Sequence, residues 1–409
     1  MLPIALDLVQ TVAFAGVILF AGYGVRRMIP ALGKVNIPAP VCGGLPVAGI
    51  FAILYFSGIQ PIKFDTTLQV PLQNTFFASI GFAASLGLLK RGGPLVFTFL
   101  LLSIVVATLQ NVLGAALAYL LGQHPLMGVL AGSVTMAGGP ATGLAFAPDF
   151  EQAGVAGAAT LAVAAAIAGI VAGGMLGGPV ATYLIDHRLR GMPPGGPGTG
   201  TLANIAEEQV PSPPVAAPAG EDVEAYTLVK HLVLLIVAVG IGIWVSAWLT
   251  RTGVTLPAYI GAMLVAAAIR NIDDLTGVFG LSMRVVDDIG NIALSLFLVM
   301  ALMTLRLWEL AGLAVPLLVI LIAQVALVAV IAALVVPRIM GRDYDAAVMA
   351  GGFSGFMLGT SANAMANMGA LVERYGPAPK AYLVVPLVGA FFIDFANALL
   401  ITTFLNWLR

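Results

Sequence analysis

Gly351 to Asn367 reads GGFSGFMLGTSANAMAN and lies between two strongly apolar spans. It is too polar and too short for an ordinary membrane-crossing helix, and its side chains are too small for a soluble loop. Five glycine, serine or threonine residues fall between Ser354 and Ser361, and Asn363 and Asn367 follow. In hydrocarbon an unpaired backbone group is costly, so irregular backbone survives only inside protein or beside water. Glycine lets chains bend and approach closely. The stretch therefore reads as a re-entrant hairpin or broken helix whose backbone meets a ligand. A counterpart stands in the first half, Ser133 to Gly143, SVTMAGGPATG. Two such interruptions at corresponding places point to a transporter binding site.

Composition settles the class around these breaks. The chain is 60% hydrophobic and 9% charged, with a mean hydropathy of +1.03. A soluble domain carries about a quarter charged residues. The expected fold is an all-α polytopic membrane protein. A net charge of −1 offers no basic field for nucleic acid. One cysteine, Cys42, excludes an intrachain disulfide and a cysteine-built metal cluster. His124, His187 and His231 lie near span ends without metal-ligand spacing. The N-terminus lacks a basic leader, so the first apolar stretch is expected to be retained.

Runs of about 20 apolar residues can cross a bilayer. Spans are expected near 8–25, 38–57, 71–89, 94–121 and 154–185, with a hairpin near 128–147. A second set falls near 228–249, 255–269, 285–305, 312–336 and 381–405, with a hairpin near 346–366. Between them, Arg190 to Ala225 is rich in proline, glycine and small polar residues and cannot bury a core. The domain expectation is therefore an N-terminal repeat over 1–189, a flexible linker over 190–226 and a C-terminal repeat over 227–409.

The halves match in detail. LLSIVVATLQ from Leu101 aligns with LLVILIAQ from Leu317 and sets Gln110 opposite Gln324; VLAG at Val129 aligns with VMAG at Val348. A repeat with an odd number of spans must be inverted in its second copy, which gives two inverted repeats of about five transmembrane helices, each with a re-entrant hairpin. With both termini outside and the linker cytoplasmic, 14 of the 18 lysines and arginines lie inside and four outside. That asymmetry obeys the positive-inside rule.

Candidate site residues follow from these breaks. Helix N-termini at a hairpin tip suit a carboxylate, while carbonyls and hydroxyls suit Na+. Ser133, Thr135, Gly138, Gly139, Thr142, Thr360, Ser361 and Asn363 are the substrate candidates, with Asp394 for an ammonium. Gln110, Ser354, Gly359, Asn367 and Asn397 are the Na+ candidates. Small residues also serve ordinary helix packing in membranes, and one break alone would not decide between the readings. Asp394 lies in the last span, where a carboxylate is functional by default, with Asn397 one turn on; a structural hydrogen bond is the plainer alternative. Gln110, Asn111 and Gln324 sit mid-span and suit interhelical bonding equally well. Asp287 and Asp288, near Asn291 and Ser295, read as boundary residues. Asp149, Glu151 and Glu373 read as solvated charges. No triad of nucleophile and base is visible, and no Gly-rich phosphate loop with a lysine. Catalysis is not expected, so an ion or substrate gradient must drive the protein.

These residues resemble the bacterial sodium/glutamate symporters. The matching stretches include PAPVCGGL from Pro38, FDTTLQVPL from Phe64, FFASIGFAASLGLLKRGG from Phe76, PLMGVLAGSVTMAGG from Pro125 and GPAPKAYLVVPLVGAFFIDFANALL from Gly376. The resemblance covers both halves, nearly everything outside the linker. It implies Na+-coupled uptake of glutamate, a small anionic amino acid, across the inner bacterial membrane by a homodimer whose transport domain moves as an elevator. It also implies that the two re-entrant loops, Ser133 to Thr142 and Ser354 to Asn367, form the translocation site. There is one departure. The family usually has Gly-Gly-His-Gly in the first loop, where this chain has Gly138-Gly139-Pro140-Ala141, and Phe146 stands where tryptophan is common. Proline removes a backbone donor. Another organic anion such as a dicarboxylate, carried with protons, is the alternative cargo.

Overall fold

The computed structural model describes residues 4–34, 36–58, 62–91, 93–188, 222–251, 257–310 and 312–408. Among these residues the chain is helical, apart from turns and a single backbone bridge between Ala5 and Lys63. The helices of the first half are α1 (Leu8–Met28), α2 (Pro30–Lys34), α3 (Ala39–Phe56), α4 (Gln69–Ala83), α5 (Leu86–Arg91), α6 (Gly93–Leu120), α7 (Pro125–Val129), α8 (Gly139–Gln152) and α9 (Ala158–Arg188). The second half contributes α10 (Val223–Arg251), α11 (Ala258–Thr276), α12 (Met283–Met303), α13 (Ala314–Leu334), α14 (Val336–Met340), α15 (Tyr344–Leu358), α16 (Ser361–Tyr375), α17 (Pro379–Leu387) and α18 (Ile393–Leu408). Nearly all of the expected linker lies outside the described residues. Its last part does not: α10 starts at Val223.

Seven helices among the described residues are long and apolar enough to cross a membrane: α1, α3, α6, α9, α10, α12 and α13 with its continuation α14. The protein is a multi-pass membrane protein. Three other expected spans differ in form, each for a local reason. Helix α11 carries Arg270, Asp273 and Asp274 in its second half. The last span is divided by a π-helical turn, Val388–Phe392, between α17 and α18. The span expected at 71–89 breaks at Ala84 and Ser85. Asn271 mends that break: its Oδ1 accepts from the Leu86 N–H at 2.8 Å and its Nδ2 donates to the Ala84 carbonyl at 2.9 Å.

The helices gather into two compact units, and neither is a continuous stretch of chain. The first unit holds α1, α3, α4, α10, α11 and α12. In it, α4 packs on α11 and α12, while α12 also packs on α1 and α3. Phe82, Leu235, Ala262, Ala266 and Val286 form one apolar cluster, and Ile18, Val299, Met300 and Met303 form another. Asp273 holds the turn between α11 and α12. Its carboxylate accepts from the N–H groups of Phe279, Gly280 and Leu281 at 2.7, 3.0 and 2.9 Å. Hydrogen bonds to a charged group are worth more than neutral ones. Asp273→Ala is expected to cost about 2 kcal/mol, visible as a melting point lower by roughly 4 °C or more in thermal unfolding of the purified protein.

The second unit holds α6 to α9 and α13 to α18. Helix α9 is its spine and packs against α8, α13, α15 and α16. Gly169, Gly173 and Gly177 recur every four residues on α9, and each faces α15 or α16 at backbone distance. A β-carbon at Gly173 would lie 3.1 Å from the Gly355 carbonyl oxygen. Without a hydrophobic drive between helices in lipid, this close packing by small residues supplies the attraction. Acidic residues at the start of α15 fasten two helix ends: Asp343 caps α15 itself through the Ala346 N–H at 2.9 Å, and Asp345 accepts from the Lys380 and Ala381 N–H groups at the start of α17 at 2.9 and 3.1 Å.

Candidate functional site

Both small-residue stretches are helix–break–helix elements of the second unit. In the first, α7 continues through a π-helical turn, Leu130–Val134, that contains a non-helical residue, Gly132, at φ −94° and ψ −133°. The chain then turns at Gly138, and α8 starts at Gly139 with φ +67°, a conformation that glycine adopts without strain. Pro140 sits in the first turn of α8, where its missing N–H has no helical partner to lose. In the second, α15 ends at Gly359 with φ −150° and ψ −102°, and extended Thr360 caps α16.

The two breaks meet. A β-carbon at Gly139 would lie 3.6 Å from the Gly359 carbonyl oxygen and 3.7 Å from the Thr360 methyl carbon. A third interruption joins them, because the Ser361 hydroxyl donates to the Gly389 carbonyl at 2.6 Å within the π-helical turn of the last span. Asp394 follows that turn, half-buried in the first turn of α18.

Breaking a helix frees backbone groups, and the candidate side chains satisfy many of them. Ser133 is fully buried; its N–H donates to Asn111 Oδ1 at 2.9 Å, and its carbonyl accepts from Asn397 Nδ2 at 2.9 Å. The Thr135 hydroxyl donates to the Leu130 carbonyl at 2.8 Å, bridging the first break. Thr142 is buried one turn beyond Gly138, against which its side chain packs. Gln110 Nε2 donates to the Met357 carbonyl at 3.0 Å, near the end of α15. Asn363 Nδ2 donates to the Ile170 carbonyl of α9 at 2.7 Å, and its N–H reaches Thr360 Oγ1 at 3.4 Å. Ser354 and Asn367 are occupied away from the tips. Ser354 donates to the Ala350 carbonyl one turn back at 3.0 Å, and Asn367 Nδ2 donates to the Gly173 and Gly351 carbonyls at 3.0 and 3.3 Å.

What remains after this bonding is mostly oxygen. Gln110 Oε1, Gln324 Oε1, Asn363 Oδ1, Asn397 Oδ1 and the Ser133 hydroxyl are buried oxygens with no partner. The amide nitrogens of the first four are spent on backbone carbonyls. These oxygens outnumber the one unpartnered amide donor beside them, Asn111 Nδ2, and an oxygen-rich set of this kind suits a hard cation. The N-termini of α8 and α16, at Gly139 and Ser361, flank the same junction, and helix N-termini suit an anion.

Asn111 and Gln324 stand out more in the structure than in the sequence. Asn111 bonds the first break, and Gln324 Nε2 donates to the Gln110 backbone carbonyl at 2.7 Å. Their mid-span polarity is visible in the sequence, but their targets are backbone atoms of other helices: for Asn111 the kinked first break, for Gln324 the middle of α6. Asp287, Asp288, Asn291 and Ser295 lie on α12 in the first unit, and both breaks belong to the second.

Comparison with known proteins gives a consistent result. A family model described as sodium/glutamate symporter matches residues 4–377. The chain is 40% identical over 402 residues to the sodium/glutamate symporter of Escherichia coli, covering 98% of each chain. It is 38% identical over 395 residues to the sodium/glutamate symporter of Haemophilus influenzae, covering 96% of this chain and 95% of that one.

Proposed function

The chain belongs to the sodium/glutamate symporter family, and from that membership we propose that it takes up glutamate together with Na+. The observation that carries this reading is the meeting of the two breaks at Gly139, Gly359 and Thr360, beside buried oxygens left without donors. Substrate carboxylates meet the N-termini of α8 and α16 and the hydroxyls of Thr360 and Ser361. The substrate ammonium pairs with Asp394. Na+ takes its ligands from Asn397 Oδ1, Gln110 Oε1 and the oxygens around Ser133. The cation offsets the anion's charge, so binding of each favours the other.

We read the two sets of five spans as inverted repeats and the two breaks as re-entrant hairpins. The division into units supports an elevator: both breaks belong to the second unit, which moves as one body while the first remains in the membrane as scaffold. The protein sits in the inner membrane as a homodimer, with both termini outside and the linker cytoplasmic. The positive-inside count supports that orientation.

Purified protein in proteoliposomes is expected to accumulate glutamate against its gradient when Na+ is higher outside, and to lose that accumulation when the Na+ gradient is dissipated. Accumulation that ignores Na+ would rule the reading out. The alternative cargo is another organic anion such as a dicarboxylate, moved with protons; it is kept because Pro140 and Ala141 leave the first break without the histidine usual there. Competition by a panel of organic acids separates the two: glutamate uptake outcompeted by a dicarboxylate at lower concentration than by glutamate itself selects the alternative.

A further inference from the structure

Gln110 and Asn111 are neighbours in the middle of α6, and their side chains serve different breaks. Asn111 Oδ1 accepts from the Ser133 N–H of the first break at 2.9 Å. Gln110 Nε2 donates to the Met357 carbonyl beside the second at 3.0 Å. Both residues are fully buried. The pair is braced from behind, because Gln324 on α13 donates to the Gln110 carbonyl at 2.7 Å and is itself fully buried. Beyond the first break the chain of bonds continues, with Asn397 on α18 donating to the Ser133 carbonyl at 2.9 Å.

The contacts leave little slack. A β-carbon at Gly132 would lie 2.8 Å from Asn111 Oδ1 and 3.0 Å from the Gln110 carbonyl oxygen. The kink of the first break is therefore seated on this pair. Ser133 cannot shift without pulling on Asn111, and Met357 cannot shift without pulling on Gln110. The two side chains leave one joint in α6, where successive residues have fixed relative directions. Three further polar atoms here have no partner: Gln110 Oε1, Asn111 Nδ2 and Gln324 Oε1. Burying unpartnered polar groups is unfavourable. A layer that keeps three of them is adapted to rearrange when charge arrives beside it.

We propose that Gln110 and Asn111, braced by Gln324, form the joint through which a ligand bound at one break is felt at the other. Asn111 and Gln324 are positioning residues in this scheme. They act on the backbone of the breaks and on Gln110, and they link the Na+ affinity to the glutamate affinity. This rests on the symport reading above. Coupling between sites is a free energy carried by a physical element with more than one arrangement. Here that element is the bonded layer on α6.

The test is linkage measured on the whole purified protein. The Na+ dissociation constant is determined with and without saturating glutamate, and the ratio of the two is the coupling factor. Factors of about 5 to 150 are usual for coupled sites. In Asn111→Ala the ratio is expected to fall to within about threefold of one, with Na+ binding in the absence of glutamate retained; in Gln324→Ala, which also removes one of the unpartnered oxygens, the ratio is expected to fall likewise. Asn111→Ser supplies a milder variant should the alanine fail to fold. Ser103→Ala is the control: Ser103 is equally buried on the same helix, and its hydroxyl bonds only the Phe99 carbonyl. It is expected to keep the wild-type ratio. Variants at 111 and 324 that keep the wild-type ratio overturn the proposal. So does an equal loss in Ser103→Ala, which would make the effect one of general packing. If the unaltered protein shows no such ratio, the symport reading itself fails and takes this inference with it.

Discussion

Asp394→Asn raises the glutamate concentration needed for half-maximal uptake by about 100-fold, if Asp394 receives the substrate ammonium. The substitution keeps size and shape and removes only the charge. Leaving one partner of a desolvated charge pair uncompensated costs about 2–5 kcal/mol, and about 2.8 kcal/mol is two decades in affinity. The setting of Asp394 explains why the effect is large. It lies half-buried in the first turn of α18, directly after a π-helical turn whose Gly389 carbonyl accepts from Ser361 at the second break. The carboxylate is thus carried on the backbone that closes the junction. The measurement is the concentration dependence of Na+-driven uptake in proteoliposomes. A second readout identifies the cause. Glutarate has both carboxylates of glutamate and no ammonium, so its ability to compete is expected to match that of glutamate in the variant. Should the variant keep its preference for glutamate, Asp394 does not meet the ammonium.

Gly177→Ala is expected to destabilise the second unit strongly. A β-carbon there would overlap Asn367 Nδ2 and stand 2.6 Å from the Gly351 carbonyl oxygen. Asn367 cannot move aside freely, because the same nitrogen donates to the Gly173 and Gly351 carbonyls at 3.0 and 3.3 Å. Overpacking a tight contact costs about 1–3 kcal/mol, and the loss of two buried hydrogen bonds brings this substitution to the top of that range. Thermal unfolding of purified protein is expected to show a melting point lower by roughly 6 °C or more. Gly178→Ala, one residue along, meets nothing within 4 Å and serves as the silent comparison. Equal stability of the two variants would mean that α9 does not pack on α15 and α16 as described.

Much of the architecture is legible in the residues because lipid imposes a simple rule. Apolar runs must be helices, and polar or glycine-rich interruptions must be sheltered. The helical spans follow from the first half of that rule, and the breaks at Gly138–Gly139 and Gly359–Thr360 from the second. Periodicity does not say which helix satisfies a broken one. The bonds from Asn111 to Ser133, from Asn363 to Ile170 and from Asn367 to Gly173 join stretches far apart in the chain. For that reason Ser354 and Asn367 look like tip residues in the sequence and are engaged elsewhere in the structure. The division of the span at 71–89 was hidden for a similar reason. Ala84 and Ser85 are unremarkable in the sequence, and the residue that makes their break tolerable, Asn271, lies in the other half. The two units were equally hidden, since each takes helices from both halves.

That interleaving has a consequence for how the protein is made. Ser133 emerges early in synthesis, yet Asn397, which bonds its carbonyl, leaves the ribosome 264 residues later. Gln110 likewise waits for Gln324 and for Met357. Domains generally fold as units and in the order they are translated, but here the N-terminal portion cannot mature by itself. Until α13, α15 and α18 have been added, these amides have no native partner, so the second unit closes only after its C-terminal helices arrive.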